Sequence, residues 1–396
     1  MENITCYKNN IKLDYTFTFL RNLNFTHGIW MIYLASKGFS LGQLGIFESV
    51  FHITSLLMET PTGAFADILG RKTSRIIGVI SSLIYILLIL LSSNFGLICL
   101  AFVFLALSYN FESGSGEALV YDSLKKIDKE ETYIKVSGNK EVFFQLAQAI
   151  GIIIGGYIAL NSFSMTFKLF CIFLIFSLIS LFLMKEPIMG KKKKEKSWIK
   201  NIINQYKNSF NITHTNKQLL LLLIFPNAIL TLVTISFFYL QNYWNIQGYS
   251  TSIIGIFLAS HAIAGAFGGY FAHYLDKKYK KRGILLFAPI LIVLCIFGLS
   301  LNIISFISMI ILGALDSIFY IVISAYINQL ISSEQRATIL SFSSFFFSLF
   351  MIIGFPTFGY IGDHLGLTSA FRVLGFVGVI YVVVYYFILE HFITNE

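Results

Sequence analysis

Charge is scarce in this sequence. Of 396 residues only 12% are Asp, Glu, Lys or Arg, while 56% are hydrophobic and 16% aromatic. A soluble domain of this size carries roughly a quarter charged residues. Half that amount cannot cover a globule, which leaves lipid as the solvent. Cysteine is equally thin: Cys6, Cys99, Cys171 and Cys295 are scattered, with no pair at metal-ligand or redox spacing. Disulfide frameworks and zinc sites are therefore disfavoured, and the last three fit as small apolar filler. No G-x-x-x-x-G-K-[ST] loop is present to cradle nucleotide phosphates. No cofactor and no metal are expected. The opening MENITCYKNN lacks the charged-then-apolar pattern of a cleaved signal, so the first apolar run is expected to stay as a membrane anchor.

Long apolar runs are what the chain has in plenty. A helix crossing a membrane needs about 20 mostly apolar residues. About twelve such runs lie near 13–35, 42–66, 74–94, 97–121, 139–160, 163–184, 218–241, 251–274, 283–300, 303–325, 337–360 and 369–390. They must be helices, because lipid offers no partner to an open backbone amide. A β-barrel would show shorter, strictly alternating segments.

The 29 Lys and Arg outnumber the 20 Asp and Glu, for a formal net charge of +9. With both termini inside, the cytoplasmic loops hold RKTSR, Lys125 to Lys140, KKKKEK and KKYKKR, and the outer side little more than Lys37, Lys168 and Arg372. This is a strong positive-inside bias. The excess is thus topology plus attraction to anionic lipid, and no nucleic-acid motif accompanies it. The expected fold is an all-α polytopic membrane protein: 12 transmembrane helices as two pseudo-symmetric six-helix bundles, 1–184 and 218–396, joined by a basic cytoplasmic linker, 185–217.

Between the second and third runs, Gly63, Asp67, Gly70, Arg71 and Lys72 follow the spacing G-x-x-x-D-x-x-G-R-K. Gly63 would let a neighbouring helix approach, Gly70 would allow a turn with positive φ, and Asp67 would pair with nearby cations or face another helix's N-terminus. The spacing and its place resemble the loop motif of the major facilitator superfamily, with Ile68 where the family often has a cation. The resemblance implies alternating access, with Asp67 docking one half on the other at a cytoplasmic gate. Gly269, His273, Asp276, Lys277 and Lys278 form a weak second copy, Gly269 being offset by 206 from Gly63. Gly151, Gly155 and Gly156 in the fifth run resemble the family's antiporter motif, with Ile152 in place of its Pro; they are expected to serve as a packing or hinge face. In the fourth run Asn110 takes the position of the family's proton-coupling Arg and Gly114 that of its Gly. The acidic EALVYDSL ending resembles an efflux-like bacterial subgroup.

Ionisable groups in hydrocarbon are costly and mark function. Glu48, His52, Ser55 and Glu59 are spaced by four, three and four residues, which puts them on one helical face. At about 1.5 Å per residue His52 falls near mid-depth and Glu59 near the cytoplasmic end. Glu112 and Glu117, five apart, lie on different faces. Asp316 stands 206 residues beyond Asn110 and shares a face with Tyr320 and Ser324. Glu48, His52, Glu59, Glu112, Glu117 and Asp316 are the candidates for proton coupling or the substrate cavity. Asp14 and Arg21, seven apart on one face, suit structural pairing through another helix. His261 stands alone and suits packing.

The expectation is a monomeric, proton-coupled secondary transporter in the plasma membrane, with both termini cytoplasmic, exporting a drug-like, cationic or amphipathic small molecule. A symporter importing a sugar, peptide or other metabolite is the alternative, and a non-transporting sensor or immunity protein on the same scaffold is the next. An embedded enzyme is disfavoured, since the pair His273 and Asp276 sits in a loop that topology already explains.

Overall fold

In a computed structural model, which describes residues 4–187, 217–331 and 336–393, the apolar runs are helices. In chain order these are α1 (Ile4–Asn22), α2 (Trp30–Ser36), α3 (Leu41–Leu69), α4 (Arg71–Leu91), α5 (Phe95–Glu112), α6 (Ser115–Lys125), α7 (Tyr133–Ala159) and α8 (Phe163–Leu183). After residues 188–216, which lie outside the described residues and include most of the expected linker, come α9 (Lys217–Ile246), α10 (Thr251–Leu299), α11 (Asn302–Leu330), α12 (Arg336–Leu365) and α13 (Leu367–Ile393). Ten described segments are long and apolar enough to cross a membrane, and Gly283–Leu299 is a shorter apolar helix.

Local chemistry moves some boundaries. The first apolar run is not one helix, because residues 23–29 break it. There Asn24 Oδ1 accepts from the Thr26 N–H at 2.9 Å and from its hydroxyl at 2.7 Å, a local turn that competes with the helical ladder. The fourth run is interrupted between α5 and α6 at Gly114, whose φ is 69°. The eighth and ninth runs form one ribbon broken at Lys280, with φ 57°.

The chain divides into two compact units. One comprises Met1–Trp30 and Val50–Ile199, the other Met31–Ser49 and Lys200–Glu396. So α2 and the first turns of α3 pack with the second unit. In the first unit α4 packs on α5, and α1 on α7 and α8. Small residues permit the approach: a Cβ on Gly78 would sit 3.1 Å from the Ser108 carbonyl. In the second unit α10 packs on α11. Gly268 abuts the Ala314 carbonyl and Gly313 the His261 carbonyl, the small-residue contact expected between membrane helices. Trp244 is fully buried there, donating to Ser305 Oγ at 2.8 Å.

Candidate functional site

The densest polar constellation in the first unit is built by α1, α4, α5 and α7. Arg75, the last residue of RKTSR, is fully buried instead of facing water with the other loop cations. Its Nε donates to Glu112 Oε2 at 3.0 Å and its Nη2 lies 3.0 Å from Glu112 Oε1. The same Nη2 lies 2.6 Å from Asp14 Oδ1, and Lys140 Nζ is 3.5 Å from Asp14 Oδ2. The guanidinium also stacks over Phe17, 4.3 Å from the ring centre. Two carboxylates and two cations thus balance, with a planar fork on Glu112 that only Arg can make. Gly116 leaves the room: a Cβ there would be 2.5 Å from Glu112 Oε1.

Asp14 and Arg21 do engage other helices, with different partners. Asp14 goes to Arg75, while Arg21 donates to the Ser108 carbonyl at 2.9 Å. Asn110 Nδ2 donates to the Ser55 carbonyl at 2.7 Å, and the Ser55 hydroxyl returns a bond to Asn110 Oδ1 at 2.8 Å. His52 is buried and packs edge-on against Phe51. Glu59 and Glu117 are exposed; Glu117 sits in the first turn of α6, where a negative charge is favoured by the helix N-terminus.

Glu48 and Asp316 belong to the second unit. Glu48 is only 7% exposed, and Asp316 is half-buried on α11. Among the described residues no Lys, Arg or His forms an ion pair with either. The membrane acids therefore fall into two kinds: Asp14 and Glu112 are held by Arg75, and Glu48 and Asp316 have no cation paired with them among the described residues. His261 stands against the Met309 carbonyl, with Nδ1 at 3.0 Å, as packing required.

The loop motif is a small machine of caps. Gly70 has φ 103°, the positive angle its place in the turn needs. Arg71 pairs with Asp67 at 2.5 Å. Lys72 Nζ donates to the Phe182 and Met184 carbonyls at 2.9 and 2.7 Å, a cation on the carbonyl end of α8. Glu186 accepts from the Arg71 and Lys72 N–H groups, both at 2.7 Å, which satisfies the start of α4. Sequence reasoning missed Glu186, since it opens a stretch that otherwise looks like basic linker. Gly63 corrects the expectation of a close helix approach: no described atom lies within 4 Å of where its Cβ would be. That approach occurs at Gly151 and Gly155, where Cβ atoms would strike the Asn24 and Phe25 backbones. Gly156 is buried on the same helix.

In the second unit the start of α3 is tied to α12. Asp363 accepts from the Leu41 and Gly42 N–H groups, each at 2.8 Å. Ser49 donates to the Ile352 carbonyl at 2.8 Å, and a Cβ on Gly45 would lie 2.5 Å from Pro356 Cα. The Tyr239 hydroxyl lies 2.9 Å from both the Leu41 and Phe355 carbonyls.

The family model described as Major Facilitator Superfamily matches residues 16–305 and 283–395. An MFS-type transporter of Bacillus subtilis (strain 168), YxaM, is 23% identical over 391 residues, 95% of each chain. Among solved structures, the nucleoside transporter NupG is similar with TM-score 0.77 at 11% identity, over 98% of this chain and 100% of that one. A bacterial homologue of the human lysosomal transporter Spinster gives TM-score 0.75 at 14% identity, over 100% and 99% of the two chains. A D-xylose–proton symporter gives 0.71 at 12% identity, over 96% of each.

Proposed function

The chain belongs to the major facilitator superfamily of multi-pass membrane transporters, and from that membership we propose that it exports a drug-like, cationic or amphipathic small molecule in exchange for protons. In this reading, alternating access is carried by two six-helix halves, 1–184 and 218–396, in a monomer of the plasma membrane with both termini cytoplasmic. The observation that supports it is the division of the membrane acids. An ionised carboxylate in hydrocarbon costs several kcal/mol unless paired or wetted. Arg75 meets that cost for Asp14 and Glu112. At Glu48 and Asp316 the missing positive charge comes in turn from a proton and from the cationic group of the substrate, so binding one releases the other. Coupling therefore rests on Glu48 and Asp316 more than on Glu112. His52, one turn from Glu48 on the same face, relays protons, and Asp67 with Arg71 works the gate.

A sensitivity screen tests the proposal. Overexpression should raise resistance to at least one cationic amphipathic compound in a toxic panel, deletion should lower it, and Glu48→Gln or Asp316→Asn should abolish the gain. A panel in which no compound shifts in either strain would sink the export reading.

Proton-coupled import is the second reading. What favours it is the likeness to NupG and to the D-xylose–proton symporter, together with Ile152 at the Pro position of the antiporter motif. In acid-loaded inverted vesicles an exporter releases protons when its substrate is added, whereas an importer does not.

A further inference from the structure

Away from the acids, α10 and α13 leave an apolar groove of about 420 Å³ between them. Its walls are Leu286, Ile290 and Val293 on one side and Val379, Val383 and Phe387 on the other. The walls span eight and nine residues, about 12 Å at 1.5 Å per residue. That fits within one leaflet of a hydrocarbon core about 30 Å thick. Ile290, Val383 and Phe387 are exposed, so the groove opens outward from the helix pair.

Cations stand beyond one end. Leu286, in the first turns of Gly283–Leu299, packs against the buried cluster of Phe225 and Tyr385. Just before Gly283, residues 276–282 hold five cations against the single Asp276, and Lys277, Lys278 and Lys280 are exposed. An apolar slot followed by cations matches an acyl chain and a phosphate.

We propose that this groove binds one anionic glycerophospholipid, drawn from the leaflet that the basic segment faces. The lysines attract its headgroup, as juxtamembrane cations do. A zwitterionic lipid fills the slot but gains little from the lysines. A soluble anion gains from the lysines but leaves the slot empty. None of the membrane acids lines the groove, and the site does not depend on what is carried.

Native mass spectrometry of the full chain in detergent, with equal amounts of phosphatidylglycerol and phosphatidylcholine of matched acyl chains, tests this. The wild type should retain one phosphatidylglycerol, several-fold over phosphatidylcholine. The triple variant Lys277→Gln, Lys278→Gln, Lys280→Gln should lose the preference. Val383→Trp, which fills the slot, should lose the bound lipid altogether. The charge changes lie on exposed side chains and report even if the Trp variant fails to fold. Equal retention of the two lipids by the wild type, or an undiminished preference in the triple variant, overturns the proposal.

Discussion

Replacing Arg75 with Leu should be the most damaging single change in the first unit. Arg75 and Asp14 are wholly buried, and the guanidinium engages both carboxylates at 2.6 to 3.0 Å. Removing one partner of a buried ion pair costs about 3–5 kcal/mol, since the charge left behind is uncompensated. Here two carboxylates are left, and of the nearby cations only Lys140 makes an ion pair among the described residues, with Asp14 at 3.5 Å. Lys140→Gln should be far milder, about 1 kcal/mol or less, because its side chain is 24% exposed and its contact is long. Arg75→Lys should fall between, keeping the charge and losing the fork on Glu112. The decisive variant is the triple Arg75→Leu, Asp14→Asn, Glu112→Gln. With no buried carboxylate left uncompensated, and Lys140 part-exposed, it should recover to within about 1 kcal/mol of the wild type. Reversible unfolding in mixed micelles measures all four. The reasoning is refuted if Arg75→Leu is as stable as the wild type, or if the triple variant is no better than the single.

Four further outcomes follow from the caps and glycines. Glu186→Ala should cost about 1–2 kcal/mol by uncapping α4, read as a lower unfolding midpoint, and Glu186→Gln should cost less, because an amide oxygen still accepts. Gly155→Ala should destabilise by about 1–3 kcal/mol, since its new methyl would strike the Phe25 carbonyl. Gly63→Ala, in open space within α3, should stabilise by about 0.5–1 kcal/mol, and the same unfolding series compares the two. Asp363→Ala should cost about 1 kcal/mol by freeing the Leu41 and Gly42 N–H groups, and amide exchange at those two positions should quicken.

Hydropathy made the helices legible because each run must satisfy its own backbone in lipid. The run at 42–66 became Leu41–Leu69, and that at 163–184 became Phe163–Leu183. It failed where a side chain offered the backbone a local alternative, as Asn24 does inside the first run. The turn at Gly70 was legible because positive φ narrows the choice of residue so sharply. Arg75 was not. Its sequence neighbours are topogenic cations, and only the rotation and depth of α4 turn it toward Asp14 and Glu112. Those are packing variables that hydropathy does not encode. Glu186 was hidden for the same reason, since its partners are N–H groups more than a hundred residues away in the chain. The acids at 48 and 316 stood out as charges inside apolar runs, yet the sequence could not separate them from Glu112; that separation needed the position of one guanidinium.

The most direct test of the account is proton movement on substrate addition in acid-loaded inverted vesicles, with a compound taken from the sensitivity screen. The wild type should release protons, Glu48→Gln and Asp316→Asn should not, and Lys140→Gln should still do so. Full release from the double variant Glu48→Gln, Asp316→Asn would contradict the claim that the acids without a cation carry the coupling.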